Sequence, residues 1–436
     1  MEKISRRDFL KQASLASAGL MVGVGISSKS YGNIVGANDQ MRIAVAGVNG
    51  RGKNHIAGLS KVPNCQVVAL VDVDLNVANE QKAKFKETYS RDVAVYQDFR
   101  KALENQDIDC VTLATPNHWH ALQTVWACQA GKHVYVEKPA THNVAEGRKI
   151  IEAAYKYNRI VQHGVQLRSS TAIREAVQLL RDGVIGNVYM ARGLVYRRRP
   201  SVGNLGISAV PAGLDYDMWS GPAPMRPFSK DLVPYNWHWH WDYGNGDVGN
   251  QGIHETDLCL WGLSVDTLPE KITSMGGKFL WDDAKEVPEI QTSIYHYPSQ
   301  KKIIQFEVRN WCTNLEDGAG VGNIVYGDKG YMVIKGYDTY DTYLGDRREK
   351  GPSGKAGGDH FQNFIDSCRA NDKSMQHGPV ETAHLASALA HLGNIAYRVD
   401  AVLTFDPVAE KFIGNEDANR MLTREYRAPY LMPAQV

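Results

Sequence analysis

The sequence predicts an α/β N-terminal domain with a parallel, doubly wound sheet, followed by an α+β domain with a large, open and predominantly antiparallel sheet. From about residue 41 to 162, short apolar strands alternate with helical stretches, the order that produces a parallel sheet with helices on both faces. From about residue 165 to 380, short β-rich runs dominate instead. The chain has 436 residues, which leaves room for about two domains of ~150–200 residues each.

The first residues precede both domains and have a composition of their own. Ser5-Arg6-Arg7-Asp8-Phe9-Leu10-Lys11 resembles the consensus of a twin-arginine export signal, and residues 12–26 form an apolar run rich in Ala, Gly and Ser. That run is shorter than the ~20 residues needed to span a bilayer, and no cysteine follows it, so we expect no membrane or lipid anchor. The resemblance implies a signal and linker in residues 1–32, the export machinery as a partner, and a periplasmic protein that folds before export. The alternative is a chance arginine pair on an amphipathic helix.

Composition narrows the possible partners. The 49 Lys and Arg residues nearly balance the 48 Asp and Glu residues, and no long run of like charge occurs, which argues against nucleic acid or an anionic membrane surface. The six cysteines have no CxxC spacing. A chain that folds in a reducing compartment buries such residues as small apolar side chains, so we expect six free thiols, with one disulfide as the alternative.

A glycine-rich loop follows the first predicted strand, which covers Met41 to Gly47. Its sequence is Gly47-Val48-Asn49-Gly50-Arg51-Gly52, whereas the dinucleotide fingerprint has glycine at the first, third and sixth places. Asn49 occupies the middle place, and asparagine tolerates left-handed backbone better than other non-glycine residues. Gly50 is next to it and can offset the tighter approach. We therefore predict cofactor contacts from Gly47, Asn49, Gly50, Arg51 and Gly52.

The next strand ends in a carboxylate. Val67-Val68-Ala69-Leu70-Val71 leads to Asp72, twenty residues beyond Gly52. An acidic side chain at this place accepts hydrogen bonds from the adenosine ribose and repels a 2′-phosphate. Asp72 therefore favours NAD over NADP, and further strands at residues 110–114, 134–136 and near 161 complete a Rossmann domain.

Two motifs after later strands identify a family resemblance. Thr115-Pro116-Asn117-His118-Trp119-His120 and Glu137-Lys138-Pro139, together with the glycine loop, resemble the Gfo/Idh/MocA family of nicotinamide-dependent oxidoreductases. The resemblance implies that Lys138 lies beside the nicotinamide and contacts the substrate hydroxyl, and that Thr115, Asn117, His120 and Glu137 contact the cofactor. It also makes Trp119 an aromatic wall of the substrate pocket. We interpret Pro116 and His118 as structural.

The second half of the family's site is normally Asp-x-Gly-x-His. This chain has Asn250-Gln251-Gly252-Ile253-His254, which makes His254 the expected base or proton relay. Asn250 replaces the aspartate, and an amide can orient a hydroxyl but cannot take a proton. Asp247 or Asp257 could supply the missing carboxylate; Asp257 lies three residues after His254 and could steady it, or it could simply pack the helix.

An aromatic segment precedes this motif. In residues 236–244, NWHWHWDYG, a period of two would put His238 and His240 on one face of a strand and tryptophans on the other. Carbohydrate contact is the interpretation we prefer, since indole faces stack on sugar rings. A divalent metal held with Asp242 and His254 is an alternative, as is loop packing, and we assign no metal ligand. Gln166 and Arg168 are further candidate substrate contacts.

The second domain contains a predicted hairpin of residues 292–297 and 303–309. The family resemblance implies that one face of the sheet packs against another subunit, as a homodimer or homotetramer. We expect a glycine-rich loop over residues 351–358. The predicted boundaries are 40–162 for the Rossmann domain, 163–407 for the substrate-binding and oligomerisation domain, and 408–436 for a C-terminal tail.

Three functions are consistent with these observations. The first is a periplasmic NAD-dependent oxidoreductase that acts on a hydroxyl of a sugar, sugar derivative or glycoside and recycles a tightly bound cofactor. The second is a redox-neutral glycoside hydrolase or lyase that works through a transient 3-keto sugar, for which His238, His240 or Tyr243 would supply an additional base. The third is a non-catalytic sugar-binding protein, which only the Asn250 replacement favours.

Overall fold

The computed structural model describes residues 40–436. The predicted export signal in residues 1–32 lies outside the described residues. Within residues 40–436, no helix is both long enough and apolar enough to cross a membrane.

The N-terminal domain is built on six parallel strands in the order β3-β2-β1-β4-β5-β6. This is the doubly wound order, in which the strand sequence reverses between β1 and β4 and opens a crevice at the carboxyl ends of the strands. All four residues of β4 and of β5 are buried because helices cover both faces of the sheet. The strands are β1 Met41–Ala46, β2 Cys65–Val71, β3 Ala94–Tyr96, β4 Cys110–Leu113, β5 His133–Val136 and β6 Val161–His163.

Each of these strands except β6 leads into a helix of this domain, so the predicted alternation is confirmed. Side-chain caps begin three of the helices: Asp74, Asp98 and Asn143 each accept a hydrogen bond from a backbone N–H in the first turn. The helices are α1 Gly52–Leu59, α2 Leu75–Tyr89, α3 Phe99–Glu104, α4 Asn117–Gln129 and α5 Val144–Lys156.

The second domain contains a ten-stranded mixed sheet, ordered β14-β13-β12-β11-β7-β10-β9-β8-β15-β16. Only the β7–β10 pair is parallel, so the predicted, mostly antiparallel sheet is confirmed. The predicted hairpin is β9–β10, closed where Tyr297 pairs with Lys302. The strands are β7 Val188–Tyr196, β8 Lys271–Gly277, β9 Ile290–Tyr297, β10 Lys302–Arg309, β11 Val321–Gly327, β12 Gly330–Lys335, β13 Thr339–Leu344, β14 Glu349–Lys355, β15 Leu403–Asp406 and β16 Lys411–Ile413.

Helices cover one face of this sheet. Ile253, Leu258 and Leu389 pack on Phe306 in the largest apolar cluster of the described residues. Successive strand residues alternate between faces, so Tyr326, Tyr331 and Tyr343 stand on the opposite, open face. The helices are α6 Thr171–Arg181, α7 Tyr216–Ser220, α8 Gly246–Asn250, α9 Ile253–Leu263, α10 His360–Ala370, α11 Val380–Val399 and α12 Glu416–Arg420.

Two features of the C-terminal half differ from the sequence prediction. Residues 351–355 of the expected glycine-rich loop belong to β14, which pairs with β13; it is an edge strand, the place in a sheet that accommodates Pro352 without a pairing partner. Residues 408–436, assigned to a tail, include β16 and α12, and Val436 is buried in the apolar core of the Rossmann domain. The six cysteines are free thiols.

Candidate active site

A cavity of about 420 Å³ opens at the carboxyl ends of β1 and β4. One end is lined by Asp72, Phe99 and Arg100, and the other by Lys138 and His254. The crevice where strand order reverses is the place at which open α/β sheets bind ligands. The cavity therefore brings the two predicted halves of the site together.

The glycine loop fits a dinucleotide pyrophosphate. Gly47 has φ of +80°, and a Cβ there would lie 2.5 Å from the Ala114 carbonyl oxygen. A Cβ on Gly52 would lie 2.1 Å from the Gly47 carbonyl oxygen, so the strand and α1 could not pack as closely. Asn49, Gly50 and Arg51 line the cavity at the start of α1, where backbone N–H groups favour an anion.

Asp72 stands at the adenosine end of the cavity. Its carboxylate accepts hydrogen bonds from the backbone N–H groups of Val48 (2.9 Å) and Asp74 (3.1 Å), which fix its orientation. Burial raises the pKa of Asp72 to about 6. At neutral pH the side chain is therefore a carboxylate that can accept from ribose hydroxyls.

Glu137 connects the glycine loop to neighbouring side chains through hydrogen bonds. Its Oε1 accepts from Arg51 Nε at 2.8 Å and from Gln166 Nε2 at 3.2 Å, and it lies 3.0 Å from His55 Nε2. Burial alone would raise the pKa of Glu137, but the hydrogen bond with His55 and the charge of Arg51 outweigh it and hold the pKa well below its usual range. Three of the predicted contact residues, Arg51, Glu137 and Gln166, thus form one hydrogen-bonded group.

Lys138 follows Glu137 and reaches across the cleft to the second domain. Its Nζ donates to the backbone carbonyl of Asn250 and to Asn250 Oδ1, the latter at 3.3 Å. Burial lowers the pKa of Lys138, against the opposing charge of Glu137. The residue that replaces the family aspartate therefore holds the lysine without adding a negative charge beside it.

His254 lies one turn beyond Asn250 and lines the same end of the cavity. It is only 4% exposed, and its Nδ1 has no hydrogen-bond partner among the described residues. Burial, helped by the charge of Lys138, lowers the pKa of His254 to about 3. The imidazole is consequently neutral at pH 7, and one ring nitrogen can accept a hydrogen bond.

Sequence reasoning missed Tyr337 at this end. Its ring centroid is 4.8 Å from that of His254, and its hydroxyl accepts from Gln251 Nε2 at 2.7 Å. Tyr337 follows β12 without any motif around it. The turn between β12 and β13 nevertheless brings Tyr337 into the cavity lining.

Arg168 and Asp257 are paired with each other. They form a two-bond ion pair, with Nε to Oδ2 at 2.7 Å and Nη2 to Oδ1 at 2.8 Å, and neither lines the cavity. Asp247 is likewise held by Arg199 at 2.9 and 2.8 Å. The structure thus places Arg168 and Asp257 beside the cavity rather than in its lining. Asp247 and Asp257 each already neutralise an arginine, although the charge of Asp247 still favours the ammonium form of Lys138.

The aromatic segment is also different from its prediction. Residues 236–239 form a 3₁₀ helix rather than a strand, so the predicted period of two is wrong. His238 and His240 consequently do not share one face. His238 lines the cavity, stacked on Trp237 at 3.6 Å, with Nδ1 2.5 Å from the Tyr235 carbonyl oxygen. His240 lies outside it, with Nδ1 3.3 Å from Glu286. In residues 40–436, no group of three His, Cys, Asp or Glu side chains is placed to hold a metal ion.

Most residues of the motif after β4 line the cleft, but the polar atoms of several of them form hydrogen bonds within the protein. His120 has Nδ1 2.6 Å from the Pro139 carbonyl oxygen and Nε2 2.7 Å from that of Thr115, so it joins the two motif loops. Asn117 Nδ2 donates to Asn245 at 3.3 Å, and Trp119 Nε1 donates to the Met218 carbonyl at 3.0 Å. Trp119 presents an aromatic surface to the cavity, whereas His118, as expected, does not line it.

Comparisons with known proteins agree with this geometry. Residues 41–165 match the family model described as "Oxidoreductase family, NAD-binding Rossmann fold", and residues 195–432 match "Oxidoreductase family, C-terminal alpha/beta domain". A glycosyl hydrolase family 109 protein of Solibacter usitatus is 35% identical over 177 residues, 39% of this chain and 40% of that protein. One from Saccharopolyspora erythraea is 29% identical over 211 residues, 43% of this chain and 45% of that protein. The chain thus spans less than half the length of these curated relatives.

Two solved structures share the fold at low identity. The WlbA dehydrogenase from Bordetella pertussis, in complex with NADH and UDP-GlcNAcA, has a TM-score of 0.64 at 17% identity and covers 84% of this chain and 99% of its own. The aldose-aldose oxidoreductase from Caulobacter crescentus, complexed with glycerol, has a TM-score of 0.62 at 19% identity and covers 84% and 100%. With models matched to both of its domains, the chain belongs to the Gfo/Idh/MocA family of NAD-binding oxidoreductases.

Proposed function

We propose that this enzyme is a periplasmic oxidoreductase that uses NAD to oxidise a hydroxyl of a sugar, sugar derivative or glycoside. The observation that carries the proposal is the pair of basic groups at one end of the dinucleotide cleft. Lys138 is held there by Asn250, and a neutral His254 lines the same wall. The structures of similar fold include a dehydrogenase in complex with NADH and UDP-GlcNAcA and an aldose-aldose oxidoreductase, which is consistent with this substrate class.

The proton chemistry follows from these side chains. NAD, when bound, accepts a hydride from the carbon that carries the hydroxyl, so the hydroxyl proton must leave to a base within about 3 Å. Lys138 Nζ donates to two oxygens of Asn250, which leaves one position on the nitrogen for the substrate. Burial lowers the pKa of Lys138 and so favours the neutral amine, which is the form that can take the proton, and a neutral His254 lines the same wall. Trp119 and Trp237 line the cavity and offer apolar surfaces to the C–H faces of a pyranose.

We further propose that the enzyme keeps its cofactor between turnovers. A periplasmic enzyme meets no plentiful nicotinamide pool, so a released cofactor would be lost and must instead be restored in place by reduction of a second carbonyl substrate. The resemblance of residues 5–11 to a twin-arginine signal, which directs the export of folded proteins, supports this order of events. The test is the nicotinamide released by heat from the mature protein after exhaustive dialysis: stoichiometric NAD(H) supports retention, whereas an empty protein that reduces added NAD with a sugar contradicts it.

A redox-neutral glycoside hydrolase is the second candidate, favoured by the family 109 relatives and by His238. In that reaction, oxidation at C3 acidifies the C2 proton, a base removes that proton, and elimination expels the aglycone; water then adds at C1, the proton returns to C2, and the hydride taken from C3 is restored to it. Of the three bases considered from the sequence, only His238 lines the cavity. Burial lowers the pKa of His238 to about 3, so the ring is neutral at pH 7; its Nδ1 donates to the Tyr235 carbonyl, which leaves Nε2 with a free lone pair.

One assay separates the two candidates. Aryl glycosides are incubated with dialysed protein and no added nucleotide. Aglycone release over many turnovers identifies the hydrolase, and His238→Ala should then abolish release while a C3 ketone still forms. A sugar ketone formed only together with reduction of a second carbonyl compound identifies the oxidoreductase.

A further inference from the structure

We propose that the enzyme has a second binding site, for a small oxyanion, in a cavity of about 320 Å³ behind the Lys138 loop. This arginine cavity lies between the loop after Pro139, the end of α11 and the segment after α12. It shares no lining residue with the catalytic cleft. Its lining includes His142, Trp241, Asn245, Arg398, Arg424 and Glu425.

Arg424 supplies the first part of the argument. Its guanidinium is half-buried, and no carboxylate among the described residues lies within 4 Å of it. Among the carboxylates, Glu146 acts most strongly on the charge of Arg424. Its two oxygens, however, already accept hydrogen bonds from the backbone N–H of His142 and from the Tyr426 hydroxyl. A partly desolvated cation without a direct counter-ion is costly, and a bound anion would offset that cost.

His142 positions Arg424. Arg424 Nη1 lies 3.2 Å from His142 Nδ1, and a guanidinium can only donate, so Nδ1 must be the acceptor. Burial and the charge of Arg424 hold the pKa of His142 well below its usual value, so the ring is neutral and carries its proton on the buried Nε2, on the side of the Trp241 backbone. The imidazole thus orients Arg424, and the remaining donors of the guanidinium are those available to an anion.

A second guanidinium completes the set. Arg398 extends from the last turn of α11 over the Trp241 ring, 5.1 Å from its centroid, and it too has no carboxylate within ion-pair distance in the described part of the chain. Of the acidic residues in the lining, Asp242 is already paired with Arg226 at 2.6 Å, which leaves Glu425 on the exposed rim. Two guanidinia without a direct counter-ion match the oxygens of a carboxylate, sulfate or phosphate.

The site is connected to the catalytic cleft by Asn245. Its Nδ2 donates to the His142 carbonyl at 3.3 Å, and its Oδ1 accepts from Asn117, which lines the cleft. His142 itself is four residues beyond Lys138. An oxyanion held by Arg424, which is hydrogen-bonded to His142, would thus act on the loop that carries the lysine.

The test measures binding rather than turnover, so it stands apart from the proposed reaction. Inorganic phosphate, sulfate, D-gluconate and D-glucuronate are titrated calorimetrically into the full mature protein at constant ionic strength, with D-glucose as the neutral control. We expect saturable binding of at least one anion below about 10 mM and none of glucose. Preference for the inorganic ions identifies a free oxyanion, and preference for gluconate or glucuronate identifies the acid group of a sugar.

Variants locate the binding. Arg424→Gln and Arg398→Gln should each weaken it by about tenfold or more, and Arg398 is exposed, so its variant folds even if Arg424→Gln does not. The matched control is Arg181→Gln, an exposed arginine on α6 outside the cavity, which should leave binding unchanged. No saturable binding to about 10 mM, or equal weakening by all three variants, would overturn the proposal.

Discussion

At residue 250 the chain has an amide where its family normally has a carboxylate, and the amide oxygen lies 3.3 Å from Lys138 Nζ. A negative charge at that distance would favour the ammonium form. Asn250→Asp should therefore raise the pKa of Lys138. Because the neutral amine is the base, the acidic limb of the pH profile of kcat/KM should move to higher pH by about one unit or more.

The control for this variant is Asn187→Asp, the same change at an exposed position far from the cavity. Its pH profile should coincide with that of the unchanged enzyme. If Asn250→Asp leaves the acidic limb in place, Lys138 is not the base whose ionisation limits the reaction, and His254 becomes the better assignment.

A second prediction for a single residue concerns Asp72. As a carboxylate it repels a 2′-phosphate, and like charges in contact cost several kcal/mol. Asp72→Asn keeps an acceptor for the Val48 N–H but removes the charge, so the preference for NAD over NADP in reconstitution of cofactor-free protein should fall by about tenfold or more. Glu87→Gln, an exposed charge-matched change on α2, should have no effect.

The same side chain gives a pH dependence. The pKa of Asp72 in the folded protein is raised to about 6, so the carboxylate is lost as pH falls through that value. The preference for NAD should therefore decline between about pH 7 and pH 5 in the unchanged enzyme. In Asp72→Asn it should be flat over this range, and a parallel decline in both proteins would show that another group is responsible.

Between elements, the Arg168–Asp257 pair joins the 3₁₀ turn of residues 166–169 to α9. Asp257 is fully buried, and Arg168 also covers the Trp261 ring at 4.8 Å. Removing one member of a buried pair leaves the other uncompensated, so Asp257→Asn should lower the free energy of unfolding by about 3–5 kcal/mol in a denaturant titration. Asp266→Asn, an exposed aspartate just after α9, should change it by less than about 0.5 kcal/mol.

This variant also distinguishes a structural role from a chemical one. If Asp257→Asn unfolds at the usual denaturant concentration and instead loses kcat with a changed pH profile, then Asp257 relays protons to His254 and its assignment to packing is mistaken.

The sequence predicts elements well where a local pattern decides them. The strands at β1, β2, β4 and β5 are continuous apolar runs, and the residues at their carboxyl ends, from Gly47 to Lys138, line the predicted cleft. Partners that are distant along the chain leave no such pattern. The alternation in residues 236–241 matches a strand, yet no neighbouring strand pairs with it and it closes as a 3₁₀ turn. The sequence likewise contains no pattern that predicts the ion pair of Asp257 with Arg168, 89 residues away.

At the scale of the whole molecule, no helix in residues 40–436 covers the tyrosine-bearing face of the ten-stranded sheet. Tyr331 and Tyr343 stack there with centroids 5.0 Å apart, and Tyr326 is 6.2 Å from Tyr331. We expect a homodimer or homotetramer in sedimentation velocity, and Tyr331→Glu should shift it towards monomer because a charge would be buried. Tyr155→Glu, an exposed tyrosine on α5, is the matched control, and a monomeric unchanged protein would refute the interface.

The Rossmann domain is completed by parts of the chain far beyond its last strand. Phe364 and Ile365 of α10 share a core with Ile43 and Leu59, and Val380 and Ala383 of α11 pack with the residues of β4 and β5. During synthesis, the six parallel strands must therefore wait for α10 and α11 before their apolar faces are covered. Sequence-distant contacts of this kind slow folding and leave intermediates exposed to aggregation. A nascent chain stalled before α10 should consequently depend on chaperones, however strongly its strands alternate with helices.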